Sequence, residues 1–270
     1  MKKRGLLFCL FLGLVFFLFI YFLPQQNFLR LSFLDVGQGD ACLLNFNNEK
    51  IILLDGGPSD ILLRRLGESL PFYKRKIDLV IISHFHEDHI NGLVELFRRY
   101  QIDTLVFGEG LEKKYPAEII FQEATRQGTK MVAVKEMASL VVNNDCQFKL
   151  WNLVSRYTND DNNSLVTKLE CHQFSFLAAG DNELAAEKII LDSQLNIEAN
   201  IFKASHHGAD NANSQKFLEK IKPQFMIISV GEDNKFGHPS EALIKRANDL
   251  GIIIKRTDQL GSINIFTNLR

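Results

Sequence analysis

Ile77-Asp78-Leu79-Val80-Ile81-Ile82-Ser83 runs directly into His84-Phe85-His86-Glu87-Asp88-His89. The first seven residues have the length and β-branching of a buried strand. Beyond the histidines, Ile90-Asn91-Gly92-Leu93-Val94-Glu95-Leu96-Phe97 has the apolar spacing of a short amphipathic helix. Between strand and helix stand four residues of metal-ligand type: His84, His86, Asp88 and His89. On an extended segment His84 and His86 point to one side, where two imidazoles can share an ion. Asp88 and His89 follow the turn and can face a second ion. Imidazole with carboxylate suits a borderline divalent cation, zinc first, with manganese or iron as alternatives. Two such ions about 3.5–4 Å apart can activate a water and hold both oxygens of a displaced ester. The rival reading is a chance cluster of surface histidines at a helix start; four ligand types at fixed spacing behind a buried strand argue against it.

Upstream, Phe28–Leu34 alternates like a strand and enters Asp35-Val36-Gly37-Gln38-Gly39-Asp40, whose glycines permit a tight turn. Ala41–Phe46 is its expected partner strand, and Ile51–Leu54 is a third, ending at Asp55-Gly56-Gly57. Asp55 reads equally as a turn-former or as an acceptor that orients the histidines. Downstream, strands are expected at Ile102–Phe107 and Lys130–Val134, with a helix over Ala117–Gln127 between them. Residues 139–171 read as several strands interrupted by the polar loop Asn159–Ser164. This alternation predicts an α/β architecture.

The second half offers further ligands at strand ends. Phe174–Ala179 ends in Gly180-Asp181, where Asp181 is either the N-cap of a helix Glu183–Leu191 or a carboxylate bridging two ions. Ile201-Phe202-Lys203-Ala204-Ser205 leads into His206-His207-Gly208; adjacent imidazoles are costly to bury without a partner. Phe225–Val230 is another strand, and Gly237-His238-Pro239-Ser240 starts the helix Glu241–Leu250. His238 is a helix-start residue or a site residue with equal weight. Ile252–Ile254 and Ser262–Phe266 close the chain, and His172, in a hairpin turn, has no assigned function.

Composition sets outer bounds. The 270 residues are 46% hydrophobic and 10% aromatic, enough for a substantial core. Net charge is −1 from 31 basic and 32 acidic residues, and leaving out residues 1–27 removes three basic ones to give −4. Such a balance excludes strong duplex DNA binding through a broad basic face. Lys2-Lys3-Arg4 precedes an uncharged run, Gly5–Leu23, that spans about 28 Å as a helix, close to bilayer thickness. An uncleaved anchor over 1–27 is favoured over a signal peptide, since no small-x-small site follows Leu23. The basic flank predicts a single pass in the cell membrane, with residues 28–270 as one domain on the extracytoplasmic side. Cys9, Cys42, Cys146 and Cys171 lack C-x-x-C spacing and read mostly as buried thiols, with Cys146–Cys171 the one pairing left open.

The H-x-H-x-D-H pattern behind an apolar strand resembles the metallo-β-lactamase superfamily, over most of residues 28–270. Asp35–Asp40, the Asn-rich text around Asn163 and Gly237-His238-Pro239 resemble the domain of that fold attached to ComEC-type DNA-uptake channels. The resemblance implies a four-layer αββα sandwich holding two divalent ions. It implies His84, His86, Asp88, His89, Asp181 and His207 as ligands, with Asp55 and Asn163 behind them. His206 and His207 are nearly interchangeable for the last ligand; His206 is then left for phosphoryl contact or proton transfer, and His238 for the substrate. Many relatives carry a further histidine between the loop and the bridging Asp, and here none lies between His89 and His172. That gap makes manganese more credible and argues against a true β-lactamase or a glyoxalase. The function implied is a membrane-tethered hydrolase in which Asp88 orients or deprotonates a metal-activated water. Its expected substrate is a phosphodiester, single-stranded DNA among the candidates. An acyl (thioester or lactam) hydrolase and a non-catalytic envelope binding module are the alternatives.

Overall fold

Among the described residues the strands pair into two sheets of seven. The first has the order β14-β1-β2-β3-β4-β5-β6, from β1 (Phe28–Phe33), β2 (Cys42–Phe46), β3 (Lys50–Leu54), β4 (Lys76–Ile81), β5 (Gln101–Gly108), β6 (Lys130–Val134) and β14 (Ile263–Asn268). The second has the order β13-β12-β11-β10-β9-β8-β7, from β7 (Met137–Val141), β8 (Cys146–Trp151), β9 (Val166–Cys171), β10 (Phe174–Ala178), β11 (Ile201–Lys203), β12 (Phe225–Ile228) and β13 (Ile253–Arg256). In each sheet one half is antiparallel and the other, β3 to β6 or β10 to β13, is parallel. The computed structural model describes residues 12, 13, 15, 16, 28–110, 115–153 and 161–269. The expected anchor, residues 1–27, lies outside them apart from four helical positions. Among the described residues no helix is long and apolar enough to cross a membrane.

Parallel strands bury both faces, and β4 shows why its sequence is almost uniformly apolar. Leu79 and Ile81 face the other sheet, in a core that includes Phe33 against Phe176 at 5.6 Å between ring centroids. Ile77, Val80 and Ile82 face the helices Ile61–Ser69, Glu87–Arg99 and Ala117–Gln127. On the far side Leu184–Asp192, Gln215–Ile221 and Glu241–Asp249 cover the second sheet. The result is the expected αββα sandwich. The helices Ile61–Ser69 and Gln215–Ile221 had no counterpart in the sequence pattern.

The helix Glu87–Arg99 is the one that presents the histidine loop. It buries His89, Ile90, Leu93, Leu96 and Phe97 on one face. Acidic Glu87 and Asp88 lie in its first turn and Arg98 and Arg99 in its last, both favourable to the helix dipole. Gly92 lets this helix touch the chain after β3: a Cβ there would lie 2.1 Å from the Gly56 carbonyl oxygen and 2.6 Å from that of Ser59. The helix start is thereby pinned against the end of β3.

The cysteines require a correction. Cys146 and Cys171 lie opposite each other on β8 and β9 and form a disulfide, whereas Cys42 is a buried free thiol. Antiparallel register brings the two sulfurs together, and sequence spacing alone could not show it. His172 sits in the β9–β10 turn with positive φ and meets Asp145 Oδ1 at 3.0 Å, on the exposed surface.

Candidate metal centre

The carboxyl ends of the parallel strands converge, the usual place for chemistry in α/β sheets. Asp55 follows β3, His84 follows β4, Asp181 follows β10, the His206-His207 pair follows β11, and Ser229 follows β12. Both sheets therefore contribute to one seam.

Hydrogen bonds fix which nitrogen of each buried imidazole faces that seam. The Ser229 carbonyl can only accept, so the Nδ1–H of His207 donates to it at 3.0 Å and Nε2 is turned to the Asp88 carboxylate, 3.0 Å from its Oδ2. Asp55 Oδ2 takes the Nδ1–H of His89 at 3.1 Å and the Ser83 hydroxyl at 2.7 Å. That hydroxyl in turn accepts from His84 Nδ1 at 3.0 Å. Asp55, in left-handed conformation at φ 57°, also accepts from the Ser83 backbone N–H at 2.8 Å. One carboxylate thus sets two tautomers, and His84, His89 and His207 all aim Nε2 inward.

Two donor groups result. His89 Nε2 lies 3.3 Å from Asp181 Oδ2 and 3.9 Å from Asp88 Oδ2; His207 Nε2 lies 3.0 Å from Asp88 Oδ2 and 3.5 Å from Asp181 Oδ2. Ligands at 2.0–2.2 Å around a tetrahedral ion are separated by roughly 3.4 Å, so this group has the right dimensions for one cation. The second group is His84, His86 and Asp161. Asp161 Oδ1 lies 2.9 Å from His86 Nδ1 and 3.9 Å from His84 Nε2. Asp181 also falls within 4.8 Å of Asp161 and His206 donors, so it stands between the two groups. Among the described residues its Oδ1 and the Nε2 atoms of His84 and His89 are buried with no hydrogen-bond partner. Buried atoms of that kind are expected to be satisfied, and divalent cations would satisfy all three.

The charges agree with this fit. Burial would raise Asp181, but His89 and His207 hold it well below the usual carboxylate range. Burial raises Asp88 too, and His207 and His89 outweigh it downward. Burial would lower His207, yet Asp181 and Asp40 lift it to about 9. His89 is likewise opposed by burial and carried well above its ordinary value, chiefly by Asp181. Protons on these two rings thus occupy places where cations would balance the carboxylates. His84, buried and beside His89, is pushed well down and stays a neutral ligand.

His206 and His207 are both left-handed, at φ 50° and 51°. Such strain in non-glycine residues gathers at functional sites. Asn213 clamps the turn through Ser205 N–H and the Ser205 carbonyl, at 2.8 and 2.9 Å. The twist sends His207 inward, whereas His206 stands at the rim, 4.0 Å from Asp181 Oδ2 and 3.6 Å from Glu183 Oε1. His238 lies one ring farther out, 5.9 Å from His206 by centroids, and burial with His206 nearby lowers its pKa. Asp181 is not a helix cap, since Glu183 holds that position before Leu184–Asp192.

Three residues of the centre escaped the sequence pattern. Asn163 was expected beside the first imidazole pair, but Asp161, at the other end of the short turn Asp161–Asn163, is what reaches His86. Lys203, 4% exposed, makes a short ion pair with Asp40, 6% exposed. Asp40 also lies 3.4 Å from His207 Nδ1 and 3.8 Å from His89 Nδ1. Burial would raise Asp40, and Lys203 and His207 hold it at about 2. The signal for this pair was a charged residue inside an apolar strand, Ile201-Phe202-Lys203.

Comparison with known proteins gives concordant relations. The family model described as the metallo-beta-lactamase superfamily matches residues 34–232. ComE operon protein 3 of Bacillus subtilis (strain 168) is 28% identical over 268 residues, covering 92% of this chain and 34% of that protein. Competence protein ComA of Neisseria gonorrhoeae is 24% identical over 251 residues, covering 91% and 34%. The chain thus spans about a third of the length of these curated relatives. Among solved structures, a CmlA beta-hydroxylase E377D mutant shares the fold at TM-score 0.61 and 12% identity, over 92% of this chain and 54% of that one.

Proposed function

The chain is a metal-dependent hydrolase belonging to the metallo-β-lactamase superfamily, and on that premise we propose that it cleaves phosphodiesters. The observation that carries the reading is the pair of donor groups meeting at Asp181. His84, His86 and Asp161 would hold one divalent ion and Asp88, His89 and His207 the other, with Asp181 shared. Two ions so held supply Lewis acidity and make water acidic enough to attack at neutral pH. Zinc is the first expectation from the imidazole content, and manganese fits the carboxylate at Asp161.

The protein's own groups do the rest. Asp55 keeps the Nε2 atoms of His84 and His89 turned inward, and Ser229 does so for His207. Asp88, partly exposed beside His207, is placed to orient a water at the open side of the centre. His206 and His238 form the rim, where neutral or charged imidazole N–H groups can donate to the oxygens of an anionic ester. The relation to competence proteins favours phosphorus over an acyl carbon and keeps single-stranded DNA among the substrates.

We place the domain outside the cytoplasm, tethered by residues 5–23. Their apolar length supports the tether, and the Cys146–Cys171 disulfide supports an oxidising compartment. The test is a panel of bis-p-nitrophenyl phosphate, single-stranded DNA, thioester and lactam substrates with Mn²⁺ or Zn²⁺. Phosphodiester turnover lost in His86→Ala is expected; turnover of acyl substrates alone, or activity that survives the substitution, overturns the reading.

A further inference from the structure

Phe236 is a large apolar side chain left 69% exposed at the outer rim of the metal centre, reached through His238 and His206. Its ring stacks on His238 at 5.9 Å with only 17° between planes. His238 in turn meets His206 edge-on at 5.9 Å, and His206 is 4.0 Å from Asp181. An aromatic row therefore leads from the shared carboxylate out to solvent. Nothing in the core uses Phe236, so folding gives no reason for the ring to be there.

The loop carrying it is nonetheless built to hold still. Asn234 Oδ1 accepts from the backbone N–H of His238 at 3.0 Å and of Phe236 at 3.3 Å. Its amide donates to the carbonyls of His238 at 2.9 Å and Gly231 at 3.0 Å. One side chain thus ties both ends of the loop and fixes the backbone from which the ring projects. A flat, wet aromatic ring on a held backbone, already stacked on His238, loses little entropy when a second flat ring lands on its open face.

We infer that Phe236, backed by His238, is the specificity-determining platform on which the base adjoining the cleaved phosphodiester stacks. The substrate class is then a single-stranded nucleic acid with accessible bases. This inference rests on the phosphodiesterase reading and goes beyond it by naming what the enzyme grips besides the phosphate.

The test compares a labelled oligothymidylate with a chain of equal length made of abasic units, on the full protein with Mn²⁺, by anisotropy and by cleavage. Wild type should prefer the base-bearing chain in both Kd and KM, and Phe236→Ala should cut that preference roughly 5- to 150-fold, the range for one lost base stack. Phe236→Trp should restore it. Cleavage of both chains with equal KM, unaffected by Phe236→Ala, overturns the platform and leaves the phosphodiesterase reading standing. Base-dependent binding that Phe236→Ala abolishes, without any cleavage, supports the platform and overturns that reading instead.

Discussion

Lys203→Met separates a buried ion pair from its surroundings more cleanly than any other substitution here. Lys203 and Asp40 are 4% and 6% exposed, so the regime of solvent-screened surface pairs, worth under about 1 kcal/mol, does not apply. Removing one partner of a buried pair typically costs about 3–5 kcal/mol, because the other charge stays behind in low dielectric. Here the stranded group is Asp40, which already feels the like charge of Asp55 and keeps only His207, 3.4 Å away, and His89 as partial counter-charges. For a domain of this size that loss corresponds to a fall of roughly 6–20 °C in Tm. Asp40→Asn together with Lys203→Met removes both charges and should recover most of the loss, giving a coupling energy of about 2 kcal/mol or more. Urea denaturation of the four proteins, at unchanged m-value, measures it. Single substitutions within about 1 kcal/mol of wild type, or an additive double, would refute the claim that this pair acts as a unit.

Other expectations follow from the same geometry. Asp161→Asn should lower the metal content of the purified protein by about one ion per chain while the Asp88–His89–His207 group keeps its own, as read by elemental analysis; unchanged content would remove Asp161 from the centre. In the metal-free protein, His207 is raised to about 9 from an ordinary 6.5. Its stabilising contribution is complete below pH 6.5 and lost as pH rises through 9, so the denaturation midpoint should fall across that window. Metal-loaded protein should not show that decline, because a cation then takes the place of the proton. Gly92→Ala should destabilise by about 1–3 kcal/mol, since the new methyl meets backbone oxygens of Gly56 and Ser59; a neutral result in thermal melts would mean the helix start is free to move. Replacing both Cys146 and Cys171 with Ala opens a loop with a sequence separation of 25 and should cost about 3 kcal/mol by loop entropy, read from the same melts.

How much of this was legible in the sequence depends on whether the cause is local. The strand β4, the loop His84–His89 and the helix after it announce themselves, because burial on both faces and a 3.6-residue apolar period leave direct traces. Asp181 was legible as a strand-end carboxylate. Asp161 was not, since it sits in a short polar turn with no pattern of its own, and only tertiary folding brings it to His86. Which of His206 and His207 turns inward depends on two consecutive left-handed residues, and no side-chain preference encodes that. The Asp40–Lys203 pair joins residues 163 positions apart, one in a glycine turn and one in an apolar strand. Cys146 and Cys171 became partners through a strand register that spacing does not reveal.

The seam between the sheets has a mechanical consequence. His84 and His89 ride on one seven-stranded layer, Asp181 and His207 on the other, and the packing between layers, with the Asp40–Lys203 pair across them, keeps them in reach. Sliding one layer by a single residue, about 3.3 Å along a strand, would pull the two donor sets apart. Cations would therefore rivet the layers, and retention of the ions would gauge their alignment. Core changes far from the chemistry, around Phe33 and Phe176, should leak metal before they unfold the chain.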